Sequence, residues 1–162
     1  RISIVWSAPD EHAGELLGPA NVRATLDALR PDRIGHGVRA AEDPALLERI
    51  AREGVPLEVC PASNVHLGVF PDPASVPLRA LTDAGVQVAL SADDPLLFLS
   101  RLTDQYRIAR DQGFADAELA GLAKASLDAS FAAEADKATW KAGVDAWLAS
   151  TPAAAEHQAA TG

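Results

Sequence analysis

Four short stretches of this 162-residue chain place a reactive side chain where an apolar run gives way to a Gly- or Pro-marked loop. They are His12-Ala13-Gly14-Glu15, Arg33-Ile34-Gly35-His36-Gly37, Glu58-Val59-Cys60-Pro61 and Ser91-Ala92-Asp93-Asp94-Pro95. Strand ends that open into loops are where α/β enzymes keep their chemistry. In the first stretch a His and a Glu stand three residues apart, separated by two small residues. Such a pair can offer a neutral imidazole to a metal ion and a carboxylic acid to a substrate within one pocket.

Each residue also has a plainer reading. His12 reads either as a metal ligand or as a hydrogen-bonded loop histidine, and Asp93 at another strand end favours the ligand. Asp93-Asp94-Pro95 could simply cap a helix beginning near Pro95. Two adjacent carboxylates after a buried strand are costly, however, unless a cation neutralises one of them. His36, between two glycines, reads as a base or electrostatic helper for an activated water, with a structural strand-end His as the alternative. Glu58 lies within an interior strand and needs a partner, either His36, which it would orient, or an arginine from a flanking helix. Cys60 reads as core packing rather than as a nucleophile. His66 is expected at the surface, and no role follows for His157.

Periodic runs supply the elements that would hold these residues. Arg1 to Trp6 reads as a strand, followed by an irregular junction at Ser7 to Glu11. From Pro19 the spacing of Val22, Leu26 and Leu29 predicts a helix ended by Pro31. Arg33–His36 then reads as a strand, 44–52 as a helix stopped by Gly54, and 55–60 as the next strand. A polar loop over 61–73, a helix over 75–83 and a strand over 86–90 follow, and then helices over 96–112, 117–130 and 134–148. His12, His36, Cys60 and Asp93 are separated by 24, 24 and 33 residues, about the length of one unit when ~250 residues divide among eight strand-helix repeats. The fold class is therefore α/β: either an open parallel sheet complete in itself, or a partial TIM (β/α)8 barrel of about the last four units plus C-terminal helices. In the barrel reading residues 1–149 form its C-terminal half, and the Ala-rich segment 150–162 is expected to be disordered.

Composition narrows the setting. An apolar fraction of 48% fits a globular domain, and the net charge of −9 opposes nucleic-acid and anionic-membrane partners by repulsion. No apolar run approaches the ~20 residues of a membrane helix. A single cysteine excludes an internal disulfide, and a reducing, cytoplasmic location is expected. The chain opens on Arg1 and contains no methionine, so it is read as part of a longer protein.

In this order and spacing, the His-Ala-Gly-Glu, Arg-Ile-Gly-His-Gly, Glu-Val-Cys-Pro-x-Ser-Asn and Ser-x-Asp-Asp-Pro stretches resemble the adenosine deaminase family of metal-dependent (β/α)8 hydrolases. The resemblance implies that His12 and Asp93 are ligands of a Zn2+ ion that acidifies a water. It further implies that Glu15, protonated, donates to the purine ring nitrogen beside the reacting carbon, and that His36 steers and deprotonates the water. Gly14 and Asp94 would contact the substrate, a purine nucleoside. The family's zinc site has two more His ligands in a His-x-His pair that this chain does not contain, so they are expected from a missing N-terminal half. Adenosine or 2'-deoxyadenosine is the implied substrate, with adenine and aminodeoxyfutalosine as alternatives in the same family. A different reading is a non-catalytic half-barrel that self-associates through its open sheet edges.

Overall fold

Four short strands pair in sequence order into one parallel sheet, β1 (His12–Ala13), β2 (Ile34–His36), β3 (Leu57–Val59) and β4 (Val88–Leu90). The computed structural model describes residues 12–150. The expected strand at 1–6, the junction at 7–11 and the segment from Thr151 onward lie outside them. Register pairs Ala13 with His36, Gly35 with Glu58, and Glu58 with Ala89. Because the strands are parallel, all four C-terminal ends open on the same edge of the sheet.

Helices alternate with the strands as the apolar spacing predicts. Between β1 and β2 runs α1 (Pro19–Leu29), which buries Val22 and Leu26. Leu29, expected on the same buried face, is instead 47% exposed, because it falls in the last turn beside the Arg30 left-handed cap. Next comes α2 (Pro44–Glu53), with Leu46, Leu47 and Ile50 inward. Its N-terminus is fixed by Asp43, whose carboxylate accepts from the Leu46 N–H at 3.2 Å and from Arg23 of α1 at 2.5 Å. The Arg23 guanidinium holds that carboxyl below its ordinary range. One side chain thus caps α2 and ties it to α1.

Three boundaries differ from expectation. Residues after Pro61 form not a loop but a short helix, α3 (Pro61–His66), whose Pro61, Ala62, Ser63 and Asn64 are buried. Proline suits a first helical turn, while Ser and Asn read as loop residues until burial overrides their propensity. The helix expected over 75–83 is cut by Pro77 into a 3-10 turn at Pro73–Ser75 and α4 (Leu78–Asp83). The helix expected from Leu96 begins only at α5 (Leu102–Asp111). Leu96, Leu97 and Leu99 are 88%, 68% and 88% exposed and only Phe98 between them is buried, so this apolar run has too narrow a buried face to drive helix formation. Beyond it lie α6 (Asp116–Ala129) and α7 (Glu134–Ser150), close to the expected bounds. Among the described residues no helix is long and apolar enough to cross a membrane.

The core lies between sheet and helices, with Ile34, Leu57, Val59, Val88 and Leu90 from the strands against Leu46, Ile50, Leu78, Leu81 and Leu119 from the helices. Gly37 marks how tightly it closes. Its φ is +66°, and a Cβ there would stand 2.7 and 3.1 Å from the two methyl carbons of buried Leu57. Left-handed backbone and overpacking then add, and Gly37→Ala is expected to lower the unfolding free energy by about 2–4 kcal/mol. Urea unfolding of the chain checks this; an unchanged midpoint would show that the Leu57 contact yields freely.

Candidate active site

The strand ends bring Glu15, His36 and Asp93 together. His36 terminates β2 and is 2% exposed, and its φ of +61° turns it out of the pleat. Asp93, just after β4, has a φ of +59°. Among the described residues four non-glycine positions are left-handed, Arg30, His36, Asp93 and Leu99, and the two in this cluster are of types that tolerate the conformation and gather at functional sites. Nδ1 of His36 lies 3.2 Å from Oε1 of Glu15, and its Nε2 lies 3.8 Å from Oδ2 of Asp93. The imidazole therefore stands between two carboxyl groups, one on each ring nitrogen.

Short helix α3 supplies groups that sequence reasoning missed. Ser63 and Asn64 are both fully buried. The Ser63 hydroxyl donates to Oδ2 of Asp93 at 2.6 Å, and the Asn64 amide donates to Oε1 of Glu15 at 3.2 Å. Nδ2 of Asn64 also lies 3.3 Å from Nδ1 of His36. Gln105 of α5 anchors the helix start, accepting from the Ala62 N–H at 3.0 Å. Oδ1 of Asn64 is buried with no hydrogen-bond partner among the described residues, a condition that costs about 1–3 kcal/mol where no other group satisfies it. The available signal was Ser-Asn two residues after Cys60-Pro61: two short polar side chains immediately following a strand.

Other expected residues have different surroundings. Glu58 does not orient His36. Register sets it beside Gly35, on the face that Arg33 shares two residues earlier, and its Oε1 lies 2.9 Å from Arg33 Nε. Arg33 also donates to the Ala129 carbonyl at 3.3 Å and stacks 4.5 Å from the Phe131 ring centroid, so Glu58 helps lash the end of α6 to the sheet. Gly14 has φ +68° and directs its N–H to Asn21 Oδ1 at 3.0 Å, and a Cβ there would meet Val22 at 2.3 Å. Asp94 is exposed, and its Oδ1 accepts from the N–H groups of Leu96 and Leu97 at 2.9 and 3.0 Å, closing a turn rather than capping the helix expected near Pro95, which begins only at Leu102. The backbone of His12 starts β1 opposite Gly35, but its side chain is outside the description. Cys60 is buried, and burial together with the Asp93 charge pushes its thiol up to about 12.

Two strand-end carboxyl groups thus flank a buried imidazole at one edge of a parallel sheet. The family model described as adenosine deaminase matches residues 8–147, and the chain belongs to that family. A Streptomyces coelicolor protein with the provisional name adenosine/adenine deaminase is 63% identical over 143 residues, which is 88% of this chain and 41% of that protein. Among solved structures, the adenine deaminase of Arthrobacter aurescens aligns with a TM-score of 0.81 at 36% identity, over 85% of this chain and 42% of its own. A Burkholderia ambifaria amidohydrolase with bound Zn aligns with a TM-score of 0.75 at 26% identity, over 85% and 39%. The chain thus spans about two fifths of the length of these relatives.

The family is metal-dependent, and the donor atoms suit a metal ion. Among the described residues, His36, Cys60 and Asp93 offer ligand atoms that all lie within 4.8 Å of one another. Imidazole nitrogen and carboxylate oxygen are donors that a borderline-soft divalent ion accepts, whereas the Cys60 sulfur, buried and held protonated, would have to lose its proton first. Asp93 is common to this group and to the ligand set that the motifs imply.

Two measurements check the assignments. Glu58→Gln is expected to leave the His36 ring nitrogen shifts in place and to change stability by less than about 1 kcal/mol, the scale of a part-exposed ion pair. Glu15→Gln is expected to move those shifts, and the reverse pattern would restore Glu58 to the site. With its thiol held protonated, Cys60 is expected to resist iodoacetamide at pH 8 in the native chain and to react readily in urea. Fast native labelling would contradict its burial.

Proposed function

We propose that this chain supplies about the last four β/α units and the C-terminal helices of a (β/α)8 barrel. The longer protein would remove the amino group of adenine by hydrolysis, giving hypoxanthine and ammonia. The observation that carries this reading is the buried cluster in which His36 stands 3.2 Å from Glu15 and 3.8 Å from Asp93. Its motifs and spacing are those of a purine-deaminating family, and the Arthrobacter aurescens relative is an adenine deaminase.

Each residue has a role that its position supports. Glu15, buried against the Asn64 amide, holds a proton for the purine ring nitrogen adjacent to the carbon that bears the amino group. Protonation there draws electron density from that carbon and opens it to water. His36 accepts the proton that the attacking water gives up, its ring held between the two acids. Asp93, steadied by Ser63, would hold zinc with His12 and with two histidines from the rest of the barrel. When bound, zinc supplies the Lewis acidity that brings a water's pKa toward neutrality. Gly14 and Asp94 line the substrate side, Asp94 through the carboxyl oxygen not engaged in its turn. Glu58 stays outside the chemistry, as the partner of Arg33.

Adenosine is the second reading, favoured by the description of the family model and by the two-substrate name of the Streptomyces coelicolor relative. Exposed Leu16, Leu17, Leu96, Leu97 and Leu99 follow β1 and β4, the two outer strands of the sheet. They suit a surface that further barrel units would cover, which also accounts for any self-association of the chain alone.

The test completes the chain with the N-terminal part of the Streptomyces coelicolor relative and assays adenine and adenosine with zinc present. Adenine is expected to have the higher kcat/KM, and Glu15→Gln to lower kcat by about 10²–10⁴-fold. A preference for adenosine would replace the substrate, and turnover unaffected by Glu15→Gln would remove the assigned acid.

A further inference from the structure

Asn64 is buried, polar and outside every role assigned above. We propose that it is a positioning residue, whose side-chain amide fixes the Glu15 carboxyl against His36 in the geometry that proton donation to the purine requires. The proposal rests on the deaminase reading of this site and deepens it.

The two sides of the contact differ in how firmly they are held. Glu15 follows β1 on a stretch of bends with no regular backbone. Asn64 sits in the first turn of α3 and is 0% exposed. Its N–H donates to the Cys60 carbonyl at 3.0 Å, and its carbonyl accepts from Val69 and Phe70 at 2.9 and 3.3 Å. The amide is thus mounted on a fixed frame while the carboxyl arrives from a loop 49 residues earlier. Nδ2 of Asn64, Oε1 of Glu15 and Nδ1 of His36 form a triangle with edges of 3.2, 3.2 and 3.3 Å. One NH2 group therefore touches both the acid and the base.

A second observation separates positioning from packing. Oδ1 of Asn64 is the buried side-chain polar atom without a partner among the described residues. A residue kept for stability alone would not carry an unsatisfied carbonyl into the interior, since an apolar side chain of similar volume avoids that penalty. Its other atom, the donor facing Glu15 and His36, is what an apolar replacement removes.

Asn64→Leu is therefore expected to split stability from catalysis. In the chain completed as above, the urea midpoint is expected to stay the same or rise. The kcat for adenine is expected to fall about 10²-fold, as misplacement of a catalytic group does, with KM changed by less than about threefold. Because Asn64 acts through Glu15, Asn64→Leu added to Glu15→Gln should lower kcat no further than Glu15→Gln alone. Additive losses, or a kcat loss that merely follows a loss of stability, would overturn the proposal. An inactive wild type would sink the deaminase reading without deciding this one, which is then read from the 162-residue chain by NMR. There Asn64→Leu is expected to shift the Glu15 carboxyl carbon and the His36 ring nitrogens, and unmoved signals would overturn it.

Discussion

Parallel pairing is the constraint on which everything reactive here depends. In an antiparallel sheet of this order, Glu15 would leave β1 at the edge opposite to the one where His36 and Asp93 leave β2 and β4, and the three would never meet. Four parallel strands instead deliver their C-terminal ends to one edge, and the helices between them carry the chain back each time. The register then works at single-residue resolution. Gly35 pairs with Glu58, so Glu58 shares a face with Arg33, while His36, one residue on, enters the cluster with Glu15 and Asp93.

Local conformation completes what the register begins. His36 and Asp93 both leave their strands in the left-handed region, which aims each side chain across the strand ends. Around them the contacts are short and mostly buried: Ser63 on Asp93, Asn64 on Glu15, and Gln105 on the backbone of the helix that carries both. The cluster is therefore braced from one side, by α3, and α5 in turn braces α3. Further out, Arg33 joins Glu58, the end of α6 and Phe131, so the later helices are tied to the same strands that present the site.

Most of the alternation was legible from spacing. The run Leu46, Leu47, Ile50 with Pro44 at its start and Gly54 at its end names α2 almost to the residue, because period, start and stop signals agree. The motifs likewise named Glu15, His36 and Asp93, which the fold brings together. What escaped was α3 and the pair it carries. Six residues are too few to establish a helical period, and Ser63 and Asn64 are read as loop formers because nothing local reveals that they are buried. Neither partner expected for Glu58, His36 or an arginine of a flanking helix, is the one it has: Arg33 stands just before the neighbouring strand, and strand register depends on pairing rather than on either strand's own sequence. The Leu96–Leu99 run misled for the opposite reason: its composition looks like a core helix, yet of its four residues only Phe98 is buried, beside the His66 ring.

The left-handed backbone at His36 and Asp93 also limits what this site can become. Valine, isoleucine and threonine are excluded from both positions by their branched Cβ, whatever chemistry they might bring. Only glycine and the short polar residues asparagine, aspartate and histidine enter that region at small cost. The backbone therefore acts as a filter on the repertoire of the site ahead of any selection for activity. A redesign that seeks a different reaction here must either choose from that short set or first rebuild the two strand ends.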